Sequence, residues 1–120
     1  MRAGLPGLPS LFVLLALASP AVAQSFAPIT VVKSRNPAYG QIIRITPKVG
    51  SVDVRVIIVD RGRCRAVSAA LMGNEGVLST KMPFQLGFNR WVKVEVFGVT
   101  CPAHEVQIET GSGRWEFRLD

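Results

Sequence analysis

Apolar and polar residues alternate in short runs along most of the chain, and Gly, Pro and Asn separate these runs. A period of two is typical of β-strands that place one face on a core and the other in solvent. In the run from Trp91 to Phe97, for example, Val92, Val94 and Val96 share one face. The pattern predicts an all-β domain of about seven short strands without a long helix.

The predicted strands differ in how clearly the sequence marks them. From Val52 to Ile58 the even-numbered residues are all apolar, so we expect them on the inward face, with Asp53 and Arg55 outward. Residues 66–72 fit either a strand or one or two helical turns. The other predicted strands are Ile29 to Lys33, Gln41 to Thr46, Trp91 to Phe97 and a short edge strand from Pro83 to Leu86.

The last two strands form a predicted hairpin whose register follows from its side chains. A two-residue loop of Gly111 and Ser112 keeps apolar residues opposite each other, whereas a three-residue loop sets Ile108 opposite Glu116. Glycine at the first loop position favours a type II′ turn. The predicted pairs are Ile108 with Trp115 and Val106 with Phe117 on the core side, and Glu109 with Arg114 and Glu105 with Arg118 on the solvent side.

Many short strands without a long helix favour an antiparallel β-sandwich, immunoglobulin-like in the broad sense. A small closed β-barrel is the alternative, because it buries the same alternating pattern.

The first 23 residues have the pattern of a secretory signal peptide. Arg2 gives a positive start, residues 11–18 are apolar, Pro20 follows, and Ala21-Val22-Ala23 is a small-x-small cleavage pattern. The apolar run has about half the length of a membrane-spanning helix, and no later segment is long and apolar enough to span a membrane. We therefore predict a signal peptide over residues 1–23, a single domain over residues 24–120, and a periplasmic or secreted location.

The predicted mature domain is basic. Arg2 is the only charged residue among the first 23, so its removal lowers the formal net charge from +6 to +5. Such a charge attracts anionic partners, for example lipid head groups, acidic glycans or phosphorylated lipopolysaccharide. A charge of this size also serves solubility alone.

Two cysteines, Cys64 and Cys101, are predicted to form a disulfide, because an even count in a small exported domain is typical of one. The bridge requires that the strands ending near Val59 and Phe97 end on the same side of the domain. A redox pair and a metal site are the alternatives. The lack of a Cys-x-x-Cys motif and the presence of one histidine, His104, argue against both.

Arg61, Arg63 and Arg65 surround Cys64 and form the candidate binding site for an anion or an acidic partner. In an extended segment the three arginines share one face and Cys64 takes the other. Guanidinium groups bind phosphate and carboxylate through paired hydrogen bonds. The competing interpretation is three solvated surface charges.

Trp91, Lys93 and Phe97 form a second candidate surface on the outward face of their strand. Large aromatic residues bordered by charge mark some protein interfaces. Alternatively, both rings fold over the ends of the core.

Signatures of catalysis and cofactor binding are weak in this sequence. It has no Gly-x-Ser-x-Gly motif, no phosphate-binding glycine loop and no zinc-ligand spacing. The arginine cluster lacks the interleaved aromatic residues of single-stranded nucleic-acid sites. We therefore expect a protein that is not an enzyme, with no cofactor, no metal and no nucleic-acid partner.

Several motifs in the C-terminal half resemble small, uncharacterised, exported bacterial proteins. They are Asp60-Arg61-Gly62-Arg63-Cys64, Pro83-Phe84-Gln85-Leu86-Gly87-Phe88, Cys101-Pro102-Ala103-His104-Glu105-Val106 and Gly113-Arg114-Trp115-Glu116-Phe117. The resemblance implies a turn before one cysteine, a second cysteine and a tryptophan-bearing final hairpin, and it implies no activity.

The functional expectation is a small exported interaction module. It would bind an anionic envelope component or a protein partner through loops at the Cys64 end of the domain. The alternatives are a structural or assembly accessory that docks by strand addition, and a secreted inhibitor or small hydrolase.

Overall fold

The computed structural model describes residues 26–36, 40–64, 67–97 and 101–119. Most of these residues lie in strands, and the helical element among them is a 3-10 turn, Asp60–Gly62. The predicted signal peptide, residues 1–23, lies outside the described ranges. The strands are β1 (Ile29–Asn36), β2 (Gly40–Pro47), β3 (Ser51–Val59), β4 (Val67–Gly73), β5 (Gly76–Ser79), β6 (Phe84–Gly87), β7 (Trp91–Val96), β8 (Glu105–Thr110) and β9 (Gly113–Arg118).

The strands form two antiparallel sheets that share one core. One sheet has the order β1-β2-β7-β4-β5 and the other has the order β6-β3-β8-β9. Without the edge strands β5 and β6, these orders match the A-B-E-D and C-F-G sheets of a seven-stranded immunoglobulin domain. Both sheets are open at their edges, so the predicted sandwich is confirmed and the barrel alternative is wrong.

The core lies between the sheets and consists of the apolar residues of the alternating runs. Val92, Val94 and Val96 of the central strand β7 are at most 1% exposed, as the alternation predicts. Val106 and Ile108 of β8 are fully buried on the inner face of the other sheet. Burying one such side chain contributes about 1.5–3 kcal/mol relative to leaving it in water.

One strand departs from the predicted period of two. β3 has a bulge between Val54 and Val56, where its pairing with β8 shifts by one residue. Beyond the bulge, Ile57 and Val59 pack against the core. The prediction that the even-numbered residues from Val52 to Ile58 share one face is therefore wrong after Val54. Because residues 56–59 are all apolar, the sequence has no polar residue there to mark the change of face.

The final hairpin has the predicted register but a different turn. The loop is not of type II′, because the positive φ lies at Gly113 (144°) and not at Gly111. The N–H of Gly111 donates to the carbonyl oxygen of Asp53 at 3.0 Å, which ties the loop to β3. The confirmed pairs are Ile108 with Trp115, Val106 with Phe117, Glu109 with Arg114, and Glu105 with Arg118.

Two segments whose secondary structure the sequence marks less clearly are strands. Residues 67–73 form β4, between β5 and β7, so the helical alternative for this stretch is wrong. β6 lies at the edge of the four-stranded sheet, as predicted for the segment around Pro83 to Leu86.

The topology gives the sandwich two distinct ends. β3 and β7 end, and β4 and β8 begin, on the side that carries Cys64 and Cys101, which we call the cysteine end. The turns at residues 26–28, 48–50, 88–90 and 111–112 lie on the other side, which we call the opposite end. All the strands and core residues described above lie within residues 26–119.

Candidate functional site

The predicted disulfide joins the two loops that cross between the sheets at the cysteine end. Cys64 lies between β3 and β4, and Cys101 lies between β7 and β8. Their Cα atoms are 5.3 Å apart, within the usual range for a bridge. This differs from the immunoglobulin arrangement, in which the bridge lies within strands between the sheets. Here the disulfide constrains loops and thereby shapes the surface at this end.

The segment before Cys64 is a tight turn and is not extended. Asp60, Arg61 and Gly62 have φ values of 48°, 56° and 84°, so three successive residues are left-handed. The extended backbone on which the shared face of the three arginines depended is therefore wrong for residues 60–62. Arg65 lies outside the described residues. Only Gly adopts this backbone at no cost, so the surrounding contacts must hold Arg61 in it.

The carboxylate of Asp60 provides one of those contacts. The residue is 9% exposed, and its Oδ1 accepts a hydrogen bond from the backbone N–H of Glu105 at 3.0 Å. Its Oδ2 lies 3.7 Å from Cys64 Sγ and 4.0 Å from Cys101 Sγ. Disulfide sulfurs carry no proton, so these two are contacts and not hydrogen bonds. Asp60 thus joins the turn after β3 to the disulfide and to the start of β8.

These three side chains have the composition of a metal site only when the cysteines are reduced. One donor atom each from Asp60, Cys64 and Cys101 lies within 4.8 Å of the others. Cysteine binds a metal ion as a thiolate, whereas these two sulfurs are bonded to each other in the disulfide. The disulfide therefore takes both sulfurs away from this use.

Replacing Asp60 is expected to loosen the turn. Asp60→Ala leaves the N–H of Glu105 without its acceptor and should lower the free energy of unfolding by about 1–3 kcal/mol. Asp60→Asn keeps an acceptor oxygen and suits a left-handed backbone, so its loss should be smaller. Urea unfolding of both variants measures the difference. Equal losses would show that the oxygen acceptor is not what matters at this position.

Two further interactions hold the start of β8 and the loop before it. Arg61 Nε pairs with Glu105 Oε1 at 2.8 Å. Lys33 Nζ of β1 donates to the carbonyl oxygens of Pro102 at 3.3 Å and Ala103 at 3.1 Å. The Arg61 side chain is 67% exposed, so this ion pair contributes at most about 1 kcal/mol. Its effect is mainly to orient one guanidinium group across the turn.

A cleft of about 450 Å³ opens between the turn and the loop before β8. Arg63 and Arg118 line it, and neither has an ion-pair partner among the described residues. The predicted site residues Arg61 and Arg63 thus meet in one cleft, where Arg118 of β9 joins them. The full lining is Asp60, Arg61, Arg63, Cys64, Pro102, His104, Glu105 and Arg118.

The second predicted surface is less coherent. Trp91 and Lys93 lie outward on β7, and Phe97, 38% exposed, follows the end of that strand. Lys93 Nζ lies 3.4 Å from Glu95 Oε1, and the Arg44 guanidinium carbon lies 4.2 Å from the centroid of Trp91. Trp91 and Phe97 stand at opposite ends of a strand about 20 Å long, so they do not form one patch.

Sequence reasoning missed Asp60 and Arg44. Asp60 adjoins the Arg-Gly-Arg run and resembles a solvated turn residue. Its signal was an Asp preceding Gly by two positions, since Asp is among the few residues that adopt left-handed turns. Arg44 carried no signal, because its stacking partner Trp91 is distant in the sequence and adjacent only through the pairing of β2 with β7.

No family model, curated protein or solved structure matches this chain. Within the described ranges, no helix has the length and apolar character needed to cross a membrane.

Proposed function

We propose that this protein is an exported, non-enzymatic interaction module that binds an anionic partner in the cleft at the cysteine end. The observation that carries the proposal is the pair Arg63 and Arg118, which line one cleft without carboxylate partners among the residues described. Guanidinium groups without a carboxylate partner are suited to bind a phosphate or carboxylate group of a ligand.

The construction of the cleft supports this proposal. A disulfide, a buried carboxylate and an inward lysine hold the described parts of its two walls, so binding orders little of the backbone there. Preorganisation of this kind raises affinity because less conformational entropy is lost on binding. Glu105 is paired with Arg61 and the Oδ1 of Asp60 is bonded to a backbone N–H, which reduces the competition of these two carboxylates with a ligand.

Docking by strand addition is the alternative, and three of the four sheet edges disfavour it, whereas the fourth edge, β1, is eight residues long. β5 and β6 are edge strands of four residues each. β9 is an edge strand whose outward residues Arg114, Glu116 and Arg118 are charged and exposed. Short and charged edges disfavour pairing with another chain.

A capture experiment with charge-matched variants tests the proposal. Residues 24–120, oxidised and immobilised, are exposed to bacterial envelope extract at low and high salt. We expect capture of an anionic partner at low salt and at least about a tenfold loss of affinity in Arg63→Glu/Arg118→Glu, since each charged hydrogen bond contributes about 1.5–3 kcal/mol.

The control is Arg55→Glu/Arg114→Glu, which changes the net charge equally on the outer face of the four-stranded sheet. Those two arginines pair with Asp53 and Glu109. The control should capture the partner almost as well as the unmodified protein. Equal loss in both variants would mean that net charge, and not the cleft, attracts the partner. Salt-insensitive capture by all three proteins would favour strand addition.

A further inference from the structure

Three turns at the opposite end each present an apolar side chain to solvent. Phe26 is 74% exposed, Val49 is 52% exposed and Phe88 is 83% exposed. We propose that this end docks on an anionic lipid bilayer, with these side chains entering the interface. The proposal concerns a surface at the other end of the strands from the arginine cleft and does not depend on that cleft.

The three turns are neighbours in space. The N–H of Lys48 donates to the carbonyl oxygen of Pro28 at 2.7 Å, which places the Phe26 turn beside the Val49 turn. Ser51 pairs with Gly87, which places the turn containing Phe88 on the other side of residues 48–50. The three turns therefore lie together at one end of the domain, whereas the other exposed large apolar residues, Val32, Val77, Leu78 and Phe97, lie in β1, in β5 and after β7.

The fold does not account for a phenylalanine at position 88. Residues 87–90 form a tight turn in which the N–H of Arg90 donates to the carbonyl oxygen of Gly87 at 3.3 Å and Asn89 takes a left-handed φ of 63°. Such turns favour Gly, Asn and Asp, and an exposed turn position needs no apolar side chain. Phe88 is suited instead to an apolar environment outside the protein.

Two arginines near these turns are complementary to an anionic surface. A cleft of about 350 Å³ is lined by Phe88, Arg44, Arg90 and Trp91, among others. Its described lining contains no carboxylate, unlike the cleft at the cysteine end. Arginine and tryptophan side chains place an apolar body and a polar tip at the boundary of a membrane. The phosphate of a lipid head group therefore fits this cleft while the phenylalanine rings enter the acyl boundary.

The shape of this end favours a bilayer over a protein groove. Separate turn tips are convex, and a fluid interface accommodates them without a matching concave surface.

Vesicle binding tests the proposal. Residues 24–120 contain all the described strands, and without the first 23 residues the apolar run itself does not contribute. We expect co-sedimentation with vesicles of equal parts phosphatidylcholine and phosphatidylglycerol, and weaker binding to phosphatidylcholine alone. Phe26→Ser/Phe88→Ser should lower the partition coefficient at least about tenfold, because each ring loses its burial in the interface.

Two further variants separate the contributions. Arg44→Gln/Arg90→Gln should reduce binding to the anionic vesicles toward the level on phosphatidylcholine alone. Phe97→Ser is the matched control, because it removes a partly exposed phenylalanine that follows the cysteine end of β7, and it should leave binding unchanged. In a Trp115→Phe background, brominated lipid should quench the fluorescence of Trp91, the remaining tryptophan.

Three outcomes would overturn the proposal: no sedimentation with either vesicle, equal loss in Phe97→Ser and Phe26→Ser/Phe88→Ser, or no quenching of Trp91. Arg63→Glu/Arg118→Glu changes the arginine cleft and leaves the three turns intact, so it should leave binding to neutral vesicles unchanged. A failure of the vesicle-docking proposal is therefore distinguishable from a failure of the proposal for the arginine cleft.

Discussion

Replacing both Cys64 and Cys101 by alanine is expected to lower the free energy of unfolding by about 4 kcal/mol. The bridge closes a loop with a sequence separation of 37. In the chain-entropy model, a loop of that length restricts the unfolded chain enough to give about 4 kcal/mol. A typical domain has about 5–15 kcal/mol of stability in total, so this variant should lose between about a quarter and about four fifths of it.

Urea unfolding of the double alanine variant and of the reduced unmodified protein measures this effect. The two should agree within about 1 kcal/mol if loop closure, and not packing of the sulfurs, is the cause. The slope of the free energy with urea should also rise, because an uncrosslinked denatured chain exposes more surface. A loss below about 1 kcal/mol would contradict the stabilising role and leave the bridge to shape the cleft alone.

Where the sequence alternates apolar and charged residues, its pattern is enough to place the side chains. The inward valines of β7 and the whole register of the β8–β9 hairpin follow from it, because a shift of one residue would bring charges into the core. Residues 56–59 are all apolar, so each of them is compatible with either face of the sheet. The bulge between Val54 and Val56 determines which of them face the core.

The cleft was predictable only in part. Arg61 and Arg63 follow from the charge run, but the three left-handed residues before Cys64 depend on a buried carboxylate and on contacts with β8. Arg118 was expected opposite Glu105, and the register agrees. The carboxylate of Glu105 nevertheless pairs with Arg61, which lies far from it in the sequence. Tertiary contacts of this kind leave no local pattern.

Docking of the opposite end on a bilayer would give the domain one orientation. Strands of six to nine residues separate the arginine cleft from the turns with exposed phenylalanines. At about 3.3 Å per residue, the cleft would stand roughly 20–30 Å above a bilayer on which the opposite end is docked. A partner in the envelope would then meet the arginines at a fixed height above the membrane surface.

Replacing Phe84 by alanine is expected to lower the free energy of unfolding by about 3–5 kcal/mol, although Phe84 lies on an edge strand. The residue begins β6, is 1% exposed and pairs with Val54, so its ring fills the space between the sheets. Alanine there leaves a cavity that the two sheets cannot close without moving strands held by their hydrogen bonds.

The chain provides a matched control for this prediction four residues later. Phe88 is 83% exposed, so Phe88→Ala should change the free energy of unfolding by no more than about 0.5 kcal/mol. Urea unfolding of the two variants compares the same chemical change in the core and on the surface. Similar losses would contradict the inward position of β6. A large loss for Phe84→Ala beside an unchanged Phe88→Ala would show that Phe88 contributes nothing to folding, and any loss of vesicle binding on its replacement would then reflect the contact with lipid.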